Sequence, residues 1–205
     1  MRIAVLTCDK YDWLLPSFWH FFEKNFPDNP YPVDFVTETK EILYGDNVFY
    51  GGKVPWSTMV TNYLNQVDDD KVLIILDDYM IWNVDLERVK EAEKLCEGDV
   101  GCINLYRYND KLMESGETQG FKTYCFDNYL TVGVQITIWQ KQYMLDVYQP
   151  GFDPWTSEKD GYLRMKRLGK KVLFSNDMIF DYVPGGCMKK GKKQELVWQQ
   201  MKERW

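Results

Sequence analysis

Apolar residues follow two alternating patterns along the first half of the chain. Short runs at 2–8 and 71–76 are typical of strands that are buried on both faces. Between these runs, apolar residues recur at helical spacing over about 14–26 and again over 55–67. The same criteria predict further strands at 33–36, 100–106, 121–126, 131–138 and 170–174, and further helices at about 86–96, 139–148, 155–168 and 194–205.

The order of these elements predicts the fold class. Strands alternate with helices, which favours an α/β architecture with a mostly parallel, Rossmann-like sheet flanked by helices. The chain has 205 residues and contains no internal repeat, low-complexity tract or linker. We therefore expect a single domain.

Composition narrows the class of protein. The net charge of −6 disfavours binding to nucleic-acid phosphates, which requires clustered basic residues. Five scattered cysteines without a C-x-x-C pair indicate neither a disulfide framework nor a zinc site. No apolar run reaches about 18 residues, so no transmembrane segment is expected. These features predict a cytoplasmic protein, and a peripheral contact with a membrane stays open.

Aromatic residues make up 16% of the chain, including eight tryptophans and fourteen tyrosines. Such rings either pack in a core or stack on planar ligands such as sugars and bases. We expect core packing for most of them.

The pair Asp77–Asp78 ends the apolar run 71–76. Ligands of open α/β sheets gather at the carboxyl ends of strands, so this pair is the first candidate for chemistry. Two adjacent carboxylates repel each other, and a nearby cation relieves that repulsion. Oxygen ligands of this kind suit Mg²⁺ or Mn²⁺ that is shared with substrate phosphates. A solvated turn with an N-cap aspartate is the alternative.

Three separated motifs resemble those of a family of small GT-A-type glycosyltransferases. The first is the Trp-Ser pair at 56–57, which opens a helix, together with the strand and acidic pair at 71–78. The second is 134–145, where a Gln and a Trp lead into a helix, and the third is the Pro-Trp-x-x-Glu stretch within 150–158. The resemblance covers residues 3–190 and implies a GT-A-like fold.

The resemblance also implies an activity. Family members transfer a sugar from a nucleoside-diphosphate-sugar donor to a hydroxyl acceptor, here expected to be a saccharide, and inversion is expected. A donor half would span about 1–108 and an acceptor half about 109–205. Asp78 would bind the metal, and Asp77 would contact the same metal or the donor ribose. Tyr79 departs from the commoner Asp-x-Asp pattern, so the need for Mn²⁺ or Mg²⁺ stays open.

A general base and acceptor contacts are expected in the second half of the chain. The resemblance and a preceding Pro-Trp turn point to Glu158 as the base, with Asp160 as its rival. Alternatively, Glu158 is a carboxylate that interacts with a helix dipole. Gln135, Trp139 and Trp155 would contact the acceptor, although a core role for the two tryptophans is an equal alternative.

Donor contacts are expected near the amino-terminal strand and the second helix. Thr7 and Asp9 follow the first strand, where a GT-A-like protein meets its nucleotide; a simple turn is the alternative. Trp56 and Ser57 lie where helix N–H groups favour anions, and Ser57 could instead be a plain N-cap. The glycine-containing basic stretch at 185–193 suits a loop that closes over a diphosphate, or it is a solvated face.

Two other function classes remain as alternatives. A sugar-phosphate nucleotidyltransferase uses a similar sheet but needs a Gly-rich, basic loop directly after the first strand. Residues 7–12 read TCDKYD at that place, which disfavours this class. A non-catalytic carbohydrate-binding protein would use the aromatic surplus but would have no reason to place paired carboxylates at the end of a buried strand.

Overall fold

The computed structural model describes residues 1–106, 118–126, 135–182, 186–189 and 191–205. The helices are α1 (Leu15–Asn25), α2 (Trp56–Leu64), α3 (Leu86–Leu95), α4 (Lys141–Val147), α5 (Pro154–Leu168) and α6 (Glu195–Arg204), and a 3₁₀ turn spans Asp12–Leu14. The strands are β1 (Arg2–Leu6), β2 (Val33–Thr37), β3 (Asn47–Tyr50), β4 (Lys71–Leu76), β5 (Ile81–Val84), β6 (Val100–Asn104), β7 (Phe121–Thr123), β8 (Thr137–Gln140), β9 (Lys171–Ser175), β10 (Phe180–Tyr182), β11 (Met188–Lys189) and β12 (Lys192–Lys193).

Eight strands form a central sheet in the order β3-β2-β1-β4-β8-β6-β9-β7. The neighbours β3, β2, β1 and β4 pair in parallel, and β6 pairs in parallel with β9. Strand β8 is antiparallel to both β4 and β6, and β7 is antiparallel to β9. Six of the eight strands therefore point the same way, which confirms the prediction of a mostly parallel α/β sheet.

The sheet is covered on both faces because its central strands are apolar on both sides. In β1, Ile3 and Val5 belong to the hydrophobic cluster that also contains residues of α1, α3 and α6. Ala4 and Leu6 belong to the opposite cluster, with residues of α2, α4 and α5. Most of the aromatic surplus packs in these two clusters.

Five short strands, β3, β5, β10, β11 and β12, were not predicted, and the predicted boundary before α4 shifts. The short strands β3 and β5 lie in segments that lack a clear apolar alternation. The helix predicted from residue 139 begins at Lys141, because Trp139 and Gln140 complete β8 by pairing with Val72 and Lys71. Trp139 is 1% exposed and packs on Tyr148, with ring centroids 5.6 Å apart. The expectation that Trp139 contacts an acceptor is therefore wrong.

The strand directions place several polar residues at one edge of the sheet. The parallel strands β1 and β4 end side by side, so that Thr7 and Asp77 are neighbours. Because β8 runs the opposite way, the residues that precede it, including Gln135, arrive at the same edge. None of the helices in the described ranges combines the length and apolar character that spanning a bilayer requires.

Candidate active site

A cavity of about 600 Å³ opens at the carboxyl edge of β1 and β4. Its volume lies within the range of small-molecule sites. Strand ends, the first residues of α2 and α5, and the β11–β12 hairpin all contribute to its wall. The lining residues are Leu6, Thr7, Cys8, Lys10, Tyr11, Trp56, Leu76, Asp77, Asp78, Tyr79, Pro154, Trp155, Glu158, Met188 and Gly191. The structure thus brings together six of the predicted site residues from four separate segments: Thr7, Trp56, Asp77, Asp78, Trp155 and Glu158.

Asp77 lies at the base of this cavity and is only 5% exposed. The hydroxyl of Thr7 donates a hydrogen bond to its carboxylate. Burial raises the pKa of Asp77 well above its usual value, and the neighbouring charge of Asp78 raises it further, while the Thr7 hydrogen bond opposes both. The ionised form of this carboxylate is therefore costly in the protein alone.

Asp78 is partly exposed and contacts the segment that leads into the β11–β12 hairpin. Burial raises the pKa of Asp78 to about 7, although a hydrogen bond from the backbone N–H of Met188 lowers it. The backbone N–H of Cys187 donates to the Asp78 carbonyl at 2.9 Å. Gly186 has a φ of +71°, and a Cβ atom there would lie 2.1 Å from an Asp78 carboxylate oxygen. A glycine is thus required for this close approach.

The donor set of this site fits a hard divalent cation that also binds phosphate. In the described parts of the chain, no lysine or arginine is among the main causes that shift the pKa of Asp77 or Asp78. The described residues also hold no cluster of three or more His, Cys, Asp or Glu side chains that could enclose an ion. Mg²⁺ commonly binds one or two carboxylates and completes its shell with water and substrate phosphates. The two carboxylates are therefore compatible with such an ion.

Glu158 and Trp155 reach the cavity from the start of α5. Asp153 is the N-cap of this helix, and its carboxylate accepts a hydrogen bond from the Thr156 N–H at 2.8 Å. The helix-capping carboxylate is thus Asp153, and Glu158 lies farther along, on the cavity wall. Trp155 is 69% exposed, so a large part of its ring is open to a ligand. Glu158 also acts on Tyr79, whose pKa is raised mainly by burial and further by the charges of Asp78 and Glu158.

No protein-family model matches the chain, and no curated protein matches it in sequence. Solved structures match its fold. The chain is similar to CMP:2-keto-3-deoxy-manno-octonic acid synthetase complexed with CTP, with a TM-score of 0.62, 10% identity, and coverage of 99% of this chain and 97% of that chain. The fold is GT-A-like.

Two further structures share this GT-A-like fold. Residues 1–349 of S. aureus TarS in complex with UDP match with a TM-score of 0.55 and 13% identity, covering 89% of this chain and 60% of that one. A cytidylyltransferase from Leptospira borgpetersenii serovar Hardjo-bovis matches with a TM-score of 0.51 and 13% identity, covering 99% and 94%. At these identities the likeness establishes the fold and leaves the reaction open.

Trp56, the first residue of α2, is the residue of this helix that contacts the cavity. Trp56 lines the cavity and packs edge-to-face on Tyr148, with centroids 5.6 Å apart. Ser57 is fully buried, and its hydroxyl accepts a hydrogen bond from the Phe152 N–H at 2.9 Å. The helix N-cap is Pro55, so Ser57 is neither an N-cap nor a lining residue. It instead ties α2 to the loop that precedes α5.

Three other predicted residues do not line the cavity, because each is engaged elsewhere. The Asp9 carboxylate accepts hydrogen bonds from the N–H groups of Thr39 and Lys40 at 2.9 and 3.0 Å, which organises the loop after β2. Asp160 forms an ion pair with Arg164 at 2.6 Å. Gln135 accepts a hydrogen bond from the Tyr182 hydroxyl at 2.6 Å and interacts with Tyr79, which places it behind the cavity wall.

The sequence reasoning missed Lys10, Tyr11 and Met188 as lining residues. Among the described lining residues, Lys10 is the one that carries a positive charge. Its position four residues beyond β1 was a usable signal, since loops at strand ends form such sites. Met188 carried no comparable signal, because its approach depends on long-range packing.

One lysine of the basic stretch at 185–193 packs against aromatic rings. Lys193 lies over the rings of Trp198 and Trp13, with its Nζ atom 4.4 and 4.8 Å from their centroids. These two rings stack on each other at 5.5 Å. The hairpin is thereby anchored to α6 and to the 3₁₀ turn. Gly185 and Lys190, which belong to the basic stretch at 185–193, lie outside the described residues.

Proposed function

We propose that the protein is a glycosyltransferase that uses a nucleoside-diphosphate-sugar donor and a hydroxyl acceptor, expected to be a saccharide. The observation that carries this proposal is the placement of Asp77 and Asp78 at the end of a buried strand, in one cavity with Glu158. The same cavity contains a largely exposed tryptophan and a lysine, which suit a sugar ring and a phosphate. The GT-A-like fold is compatible with this activity.

The donor diphosphate would lie near Asp78, Lys10 and the beginning of α2. Lys10 supplies positive charge, and Trp56, the first residue of α2, lines the same cavity. Mn²⁺ or Mg²⁺ would be held by Asp78, with Asp77 as a second ligand or a contact to the donor ribose. When bound, such an ion neutralises the charge of the diphosphate leaving group.

Glu158 would act as the general base. Its carboxylate accepts the proton of the acceptor hydroxyl while the hydroxyl oxygen bonds to the anomeric carbon of the donor sugar. The bond between that carbon and the diphosphate breaks, and the nucleoside diphosphate leaves with the electron pair. Attack from the face opposite the leaving group inverts the anomeric centre. Trp155 would orient the acceptor by stacking on its ring.

The base is tested by Glu158→Gln. This variant keeps the size of the side chain but removes the proton acceptor, so donor binding should persist while sugar transfer falls by about two to four orders of magnitude. Asp160→Asn is the matched control, because Asp160 lies on the same helix and pairs with Arg164 instead of lining the cavity. An Asp160→Asn variant that loses transfer, beside an active Glu158→Gln variant, would reverse the assignment.

Nucleotidyl transfer is the second candidate reaction. It is favoured by Lys10, which provides a cation in the loop after β1, although residues 7–12 contain no glycine. Product analysis separates the two reactions: a glycosyltransferase releases a nucleoside diphosphate from a nucleotide sugar, whereas a nucleotidyltransferase releases pyrophosphate from a nucleoside triphosphate. A non-catalytic carbohydrate-binding protein would bind saccharides and release neither product.

A further inference from the structure

The outward side of α5 differs in composition from the outward side of α3. Apart from Leu168 at the carboxyl end, the exposed residues of α5 fall within an arc of about 120° when 3.6 residues make one turn. The residues that define this α5 face are Trp155, Thr156, Lys159, Leu163, Lys166 and Arg167. The buried residues Ser157, Gly161 and Met165 lie on the opposite side of the helix. The α5 face is thus the solvent side of a firmly packed helix.

The composition of the α5 face is unusual for this chain. It carries three cations and no carboxylate, although the whole chain has a net charge of −6. It also exposes two large apolar side chains, since Trp155 is 69% and Leu163 is 63% exposed. The carboxylate next to the face, Asp160, is neutralised by its ion pair with Arg164.

The helix α3 provides a comparison. Its exposed residues Glu87, Glu91 and Lys94 mix both signs of charge and include no large apolar side chain. Such a mixture is ordinary for a solvated helix. The exposed residues of α5 therefore differ in charge as well as in hydrophobicity.

A tryptophan and a leucine set among cations match an anionic lipid surface. Amphipathic helices that lie in a membrane interface combine Trp and Leu with Lys and Arg in this way, and each basic residue adds attraction to anionic headgroups. The α5 face is about 18 Å long and convex, so it fits a broad surface better than a peptide, which is usually held in a groove.

The α5 face adjoins the cavity. Trp155 belongs to both, because it lines the cavity and begins the α5 face. A surface that contacts the face therefore lies beside the cavity mouth. We propose that the α5 face docks the protein on an anionic lipid surface and holds the cavity mouth next to the bilayer.

Vesicle co-sedimentation tests this proposal without any nucleotide or sugar. The full chain is mixed with vesicles of phosphatidylcholine alone or of equal parts phosphatidylcholine and phosphatidylglycerol. We expect at least about tenfold tighter binding to the anionic vesicles, weakened by high salt because the attraction is electrostatic. The double variant Lys159→Glu/Arg167→Glu should lose this preference, and Leu163→Ser should weaken binding.

Matched controls lie on α6, where Leu196 is 70% exposed and Lys202 is also exposed. Leu196→Ser and Lys202→Glu should leave vesicle binding unchanged. If the charge-reversal variant fails to fold, Lys159→Gln/Arg167→Gln replaces it. Equal binding to both vesicle types, or charge-reversal binding equal to that of the parent protein, would overturn the proposal. Since no nucleotide is present, either result would leave the proposed transferase function untouched.

Discussion

Asp78→Asn should stabilise the metal-free protein above neutral pH. Burial raises the pKa of Asp78 from 3.8 to about 7, so the folded state disfavours the ionised carboxylate. The difference between the folded-state and unfolded-state pKa of Asp78 does not affect stability at pH values below the unfolded-state pKa. As the pH rises from about 4 to 7, ionisation of Asp78 increasingly destabilises the folded state, and this effect reaches its full size above pH 7. Three pH units correspond to about 4 kcal/mol, which is an upper bound because Asp78 retains some exposure.

The assay is urea unfolding in EDTA at about pH 4 and about pH 8. The gain in free energy of unfolding for Asp78→Asn should be near zero at the lower pH and about 2 to 4 kcal/mol at the higher pH. Asp153→Asn is a control of opposite sign, since hydrogen bonds from Thr156 lower the pKa of Asp153 and its charge therefore stabilises the fold above that pKa. An Asp78→Asn variant that is less stable than the parent at pH 8 would refute the reasoning.

Three further substitutions probe the site and the segment that supports it. Lys10→Gln should weaken binding of nucleoside diphosphates by roughly tenfold or more in calorimetry, because it removes a charge-assisted contact, while affinity for the corresponding nucleoside stays the same. Gly186→Ala should lower both the melting temperature and the metal-dependent affinity for nucleotide, since the added methyl would displace the Asp78 carboxylate. Gly98 also has a positive φ, but a Cβ atom there would meet no atom within 4 Å. The control variant Gly98→Ala should therefore lower the melting temperature alone. Ser57→Ala should cost about 1 kcal/mol in urea unfolding, because the partly buried Phe152 N–H in the loop before α5 loses its acceptor.

The periodicity of the sequence predicted the sheet and its flanking helices because both faces of the central strands are apolar. It also located Asp77 and Asp78 at the edge of that sheet, because an abrupt change from apolar to acidic residues marks a strand end. The short strand β3 was missed because its pairing with β2 depends on a neighbour rather than on its own pattern.

The individual roles of site residues were harder to predict because they depend on distant partners. Ser57 and Asp9 stand at plausible positions in the sequence, yet their side chains bond to Phe152 and Thr39, far along the chain. Trp139 stands at the boundary between the predicted strand 131–138 and the predicted helix 139–148, and only its register with β4 places it in the core. The division into a donor half and an acceptor half stays a prediction.

The most direct test of the central claim is a calorimetric titration of the protein with a panel of nucleoside diphosphates, with and without Mn²⁺. We expect at least one member of the panel to bind, Mn²⁺ to tighten that binding, and Asp78→Asn to remove the effect of the metal. If no nucleoside diphosphate binds under either condition, the cavity at Asp77–Asp78 is not a donor site.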